Sequence, residues 1–180
     1  MDMSLPSFFP SPENRLCAGH CDMQQLIESF SSGFEQQLAG RGMVLCTRIR
    51  DPLPRSVRAD GRAMARLFDS LADCSAPVSA RGCAVLDIAA EPAEDERYSI
   101  YFVLTLSGDG LDAGQEQELF AGHTHGEMDK ARLALERART ICKEHGGNIH
   151  IKNSPGFGTR IMAKICVADG VEGGRQAGKK

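Results

Sequence analysis

The stretch from Arg139 to Val167, RTICKEHGGNIHIKNSPGFGTRIMAKICV, constrains the fold of this chain more than any other. Leading into it, Ala131, Ala134, Leu135, Ala138, Ile141 and Cys142 recur at i, i+3, i+4, i+7 spacing, which predicts a helix with one buried face. Gly146 and Gly147 end that helix, because glycine enters the left-handed C-terminal position without steric cost. Asn148 to Lys152 sets Ile149 and Ile151 against polar neighbours, the alternation of a half-buried strand. Asn153 to Gly158 is turn chemistry, and Thr159 to Val167 alternates again through Ile161, Ala163 and Ile165. A helix leading into a hairpin is expected.

This order, with HGG at 145–147 and PGFGT at 155–159, resembles the C-terminal half of the ATP-binding domain of bacterial sensor histidine kinases, members of the GHKL superfamily. The resemblance extends over roughly residues 20 to 167. Met23, Leu26, Ile27, Phe30 and Phe34 keep helical spacing in the segment similar to the family's opening helix. Met64, Leu67, Phe68 and Leu71 do so where the family carries its metal-binding helix. CAVLDIAA and RYSIYFVLTLSG read as strands joined through EPAEDE. The resemblance implies an α/β two-layer sandwich: a mixed sheet with three main helices on one face.

It also implies a nucleotide site, whose motifs are altered here. The family's Asn-x-x-x-Asn-Ala helix, whose second Asn holds magnesium, falls on Ser70, Cys74 and Ser75. Magnesium demands hard oxygen ligands, and a thiol is soft. Asp69 and Asp73 share a helix face one position earlier, but a register shift bringing Asp73 to a metal would rotate Leu67, Phe68 and Leu71 out of the core. The Asp-x-Gly-x-Gly motif, whose aspartate accepts from adenine, reads Leu106-Ser107-Gly108-Asp109-Gly110. Hydrocarbon at Leu106 leaves the adenine donor unpaired, a loss of about 1–3 kcal/mol. The glycine-rich element that wraps the triphosphate falls on Lys130 to Leu135 and contains no glycine. Side chains at Lys130, Arg132 and Ala134 oppose the close approach that backbone N–H groups need to cradle phosphate. Gly156, Gly158 and Thr159 complete the vestigial site implied by the resemblance.

Two further clusters carry metal-ligating side chains. His123 and His125 lie in the polar segment Ala121 to Met128, in the place of the family's ATP lid, and two histidines are too few for a site. Cys17, His20 and Cys21 lack a second closing pair, so zinc is not expected.

With 180 residues, 42% hydrophobic and no tryptophan, one core and one domain are expected, over residues 21–167. Residues 1–20, with three prolines in their first 13 positions, read as a flexible arm, and 168–180 as a disordered tail. A net charge of −3 and a pI near 6.0 give no pull toward nucleic acid or anionic membrane. No run approaches the roughly 18–20 apolar residues of a membrane span. With seven cysteines, an odd number, the chain is expected in a reducing cytoplasm.

The expected function is that of a degenerate histidine-kinase-like ATPase domain in two-component signalling, with lost or weakened ATP binding and no cofactor. Its expected partner is a response regulator or a histidine-bearing helical hairpin, and a homodimer is compatible. The helical hairpin that bears the phosphorylated histidine in sensor kinases needs more than the roughly 20 residues ahead of the opening helix, so the chain reads either as a piece of a longer kinase or as a stand-alone domain. The alternative is the catalytic domain of a sensor histidine kinase, or a stand-alone kinase of the anti-sigma type, that keeps Mg-ATP through unusual groups such as Asp73, Asp109, Lys130 or Arg132.

Overall fold

The computed structural model describes residues 19–50, 52–78, 82–121 and 126–170. Its first helix, α1 (Met23–Ala39), begins where the Asp22 carboxylate accepts the Gln25 N–H at 3.0 Å, satisfying one of the donors a helix start leaves free. It buries Met23, Ile27, Phe30, Phe34 and Leu38 along one stripe. The second, α2 (Gly61–Ser75), is capped in the same way by Asp60, which accepts the Arg62 N–H at 2.8 Å. Burial of Met64, Leu67, Phe68 and Leu71 follows the predicted period. At the C-terminal end of α2, the Arg41 guanidinium donates to the carbonyls of Ala76 at 2.6 Å and Val78 at 2.9 Å. A cation there also opposes the negative end of the helix dipole.

The strands are β1 (Gly19–Asp22), β2 (Met43–Ile49), β3 (Ser56–Ala59), β4 (Gly82–Ala93), β5 (Arg97–Leu106), β6 (Asn148–Ser154) and β7 (Gly158–Asp169). They form one sheet in the order β1-β3-β7-β5-β4-β2, with β6 also on β7. β3 and β6 share one edge of β7: β6 lies along residues 158–164 and β3 along 168–169. β2 joins β4 in parallel, while the other pairings are antiparallel, so the sheet is mixed.

The helices cover one face. Along that face Ala84, Leu86 and Ile88 of β4 meet Ile100, Phe102 and Leu104 of β5 and Ile161, Ala163 and Ile165 of β7. An aromatic chain ties the layers: Phe30 stacks on Phe68 at 4.4 Å, and Phe68 meets Phe102 edge-on at 4.9 Å. Each buried ring contributes about 1.5–3 kcal/mol of hydrophobic stabilisation.

The two-layer sandwich with a mixed sheet is as the sequence implies. Five details differ. A short α3 (Ala113–Ala121) adds a fourth helix; only Leu119 is buried on it, so it carries little periodicity to read. The last helix, α4 (Glu127–Glu144), starts before the expected Lys130. β1 lies ahead of α1, and β7 runs to Asp169, past the expected limit of the domain. β4 takes in part of EPAEDE, leaving a turn in which Asp95 and Glu96 both hold positive φ, at 58° and 54°. Residues 1–18 and 171–180 fall outside the described residues. No described helix is long and apolar enough to cross a membrane.

Candidate functional site

The glycine-bearing loops do come together. β5 ends at Leu106, which is 1% exposed and part of the core, and the chain turns through Gly108, Asp109 and Gly110. The Asp109 carbonyl accepts the N–H of Gly156 at 2.8 Å, which joins this turn to the β6–β7 turn. Gly158 at φ 117° packs against the Leu106 carbonyl so closely that a Cβ could not fit. Gly110 at φ 74° is held likewise, since a Cβ there would meet the Asn153 Oδ1 at 2.7 Å.

Asn153 fastens the assembly. Its Oδ1 accepts the Leu111 N–H and the Thr159 hydroxyl, both at 2.9 Å. Its Nδ2 donates to the Leu111 carbonyl at 2.7 Å and to Glu116 of α3 at 3.2 Å. Thr159 is buried, and its hydroxyl is directed to this amide. Thus Leu106, Gly108, Asp109, Gly110, Gly156, Gly158 and Thr159 form one corner, locked by its own hydrogen bonds.

The second group gathers where α2 packs on α4. Cys74 is 2% exposed, and its Sγ donates to the Ala131 carbonyl at 3.6 Å. Burial pushes its thiol up to about 12, with the Asp73 charge adding and Arg137 opposing. It packs between the two helices as a small buried thiol. Ser70 is buried too, and its hydroxyl returns to the Arg66 carbonyl at 2.7 Å.

The helical start at Glu127 changes the reasoning about phosphate. The Lys130 N–H is bonded to the Gly126 carbonyl at 3.3 Å, so Lys130 and Arg132 lie within regular helix whose N–H groups point back along the axis. The Lys130 amide is therefore already bonded within the helix rather than free. The Arg132 Nη2 pairs with Asp129 at 3.1 Å, and its Nε is buried without a partner among the described residues.

Asp73 stays outside the core. Its carboxylate pairs with Arg137 at 3.0 Å, in an open groove of about 980 Å³ between α2 and α4 that Lys130 also lines. Leu67, Phe68 and Leu71 remain buried, so α2 keeps the unshifted register. Asp73 pairs with Arg137 across the helices whereas Asp109 is joined to the β6–β7 turn, and among the described residues no hydrogen bond or ion pair links Asp109 to Lys130 or Arg132. Among the described residues, no three or more His, Cys, Asp and Glu side chains are placed to hold a metal ion. His123, His125 and Cys17 lie outside the described residues.

Sequence reasoning missed Asn153 and Arg137. Asn153 stood only as a turn residue, and its position heading the NSPGFG run was the available signal. Arg137 carried none, because its partner Asp73 is 64 residues away.

No family model and no curated protein matches the chain. Solved structures do. The histidine kinase AdeS of Acinetobacter baumannii is similar over 89% of this chain and 73% of its own, with a TM-score of 0.56 at 20% identity. Full-length ShkA, solved in complex with AMPPNP, is similar over 87% of this chain but 32% of its own, with a TM-score of 0.62 at 16% identity. At such identities the likeness is one of fold: the chain has the fold of a histidine-kinase ATPase-like domain.

Proposed function

We propose that this domain has lost Mg-ATP chemistry and serves two-component or phosphorelay signalling through protein contacts. The observation that carries the reading is the Cys74–Ala131 contact. At the position where the resembling family places its magnesium ligand, the chain has a buried thiol bonded to the opposite helix. At that point α2 packs directly on α4 through the Cys74 side chain. Leu106 supports the same reading, because a buried aliphatic side chain offers adenine no acceptor. A response regulator or a histidine-bearing helical hairpin fits the contact role.

Calorimetric titration of the purified chain with Mg-ADP tests this. No heat of binding is expected up to millimolar ligand. Submillimolar binding that weakens in Asp73→Ala or Asp109→Ala would sink the proposal in favour of an active kinase domain.

A further inference from the structure

Building on that contact role, we propose that the tip of the β6–β7 hairpin docks an acidic protein surface. Phe157 enters an apolar pocket of the partner, and Lys152 and Arg160 meet its carboxylates.

Phe157 is 87% exposed, more than any other large apolar side chain among the described residues. It does not sit on a loose loop. Its N–H is bonded to the Ser154 carbonyl at 2.9 Å, the Gly156 N–H to the Asp109 carbonyl at 2.8 Å, and Gly158 is wedged against Leu106. An aromatic ring held out on a fixed backbone loses little freedom on binding, which is the property of an interface anchor.

Charge beside the tip supplies a second observation. The register sets Lys152 directly opposite Arg160, and both are exposed. Their neighbours Ile151 and Ile161 face the helices, so the two cations stand on the bare face of the sheet. Like charges placed directly opposite across two strands destabilise the pair. Neither has a carboxylate partner among the described residues. Glu116, the carboxylate this hairpin engages, is bound by Asn153 instead. The hairpin thus presents an exposed ring beside an unrelieved cation pair, and neither serves packing or pairing among the described residues. Local rules broken without internal compensation mark functional surface.

The complementary surface is anionic with an apolar recess. A protein fits better than a lipid bilayer, because a chain of net charge −3 is not drawn to anionic membrane, and one ring with two cations is a weak anchor.

Fluorescence anisotropy with the full chain tests the proposal. The probes are a labelled amphipathic peptide of alternating Glu and Leu, the same peptide with Lys for Glu, and phosphatidylserine-containing vesicles. The Glu peptide is expected to bind and to weaken about tenfold in Phe157→Ala and in Lys152→Gln/Arg160→Gln, whereas the Lys peptide does not bind. Thermal unfolding of Phe157→Ala should match the parent, which separates lost docking from lost folding. Equal affinity in parent and variants, no binding of the Glu peptide, or binding to vesicles alone would each overturn the proposal. Mg-ADP binding by the parent would overturn the loss of nucleotide chemistry while leaving the peptide affinities unchanged, so the two failures are distinguishable.

Discussion

The Cys74 thiol lies 3.6 Å from the Ala131 carbonyl, so α2 is bonded to α4 at the position on which the proposed loss of Mg-ATP chemistry turns. Restoring the family's residues one by one should therefore damage the domain rather than revive it. Cys74→Asn forces a larger amide into a packed interface, for an expected loss of about 1–3 kcal/mol. Leu106→Asp buries an unpaired carboxylate and should cost about 3–5 kcal/mol. Urea unfolding reads both losses. A double variant that binds Mg-ADP with its midpoint preserved would refute this account of the site.

The thiols should separate by burial. Cys46 and Cys83 are exposed, whereas Cys74 and Cys142 are buried, with thiols pushed up by burial to about 12 and about 11. In native protein near pH 8, Cys46 and Cys83 should react with a thiol reagent in seconds to minutes, and Cys74 and Cys142 only on unfolding. The folded state retains the protons of the buried pair. Their contribution to stability is therefore complete below the ordinary value of 9.0 and lost as pH rises toward about 11 and then about 12. Denaturation midpoints that stay level from about pH 8 to about pH 11 would contradict that sign.

Asn153→Ala should release the corner at the end of the sheet. The substitution removes the acceptor of the Leu111 N–H and the Thr159 hydroxyl and leaves buried polar groups unpaired, for an expected loss of about 2–3 kcal/mol. Hydrogen exchange at the Leu111 amide should accelerate well beyond what the global destabilisation explains. Unchanged exchange there would show that the Gly156–Asp109 bond holds the corner alone.

Two glycines should respond in opposite directions to alanine. At Gly33, inside α1, an added Cβ meets nothing within 4 Å, so Gly33→Ala should stabilise by about 0.5–1 kcal/mol. Gly158→Ala drives a Cβ into the Leu106 carbonyl at a positive φ and should leave little folded protein at room temperature. Thermal melts of the two variants decide both points.

Much of the fold was legible because its signals are local. The stripes Met23 to Phe34 and Met64 to Leu71, and the alternation around Ile149 and Ile161, are each set within a few residues. What escaped depends on distance or on weak amphipathicity. α3 buries Leu119 alone and offers no stripe, and β1 is legible only through its partner β3, since GHCD shows no alternation of its own. At the site, the absence of glycine at Lys130 and Arg132 was plain, but the reason it matters lay in where α4 begins. That beginning is capped by Gly126 at φ 68° with no side-chain hydrogen bond, so no polar side chain at the cap announces it. The partners of Asn153 could not be read either, because a turn asparagine looks the same whether it serves its own loop or ties three elements together.

The parallel pairing of β2 with β4 has a consequence for the order of assembly. β4 with β5, and β6 with β7, are hairpins whose ends meet across short turns, whereas Leu45 finds Ala84 only after β3 and α2 have been threaded between them. Closing that longer loop costs more chain entropy, and β2 recovers it along one edge only. We therefore expect β2 to be the last strand to dock and the first to leave, a local opening with a free energy below that of the whole domain. Native-state amide exchange should show β2 giving up protection ahead of β5, and equal protection in the two strands would mean that the sheet melts as a single unit.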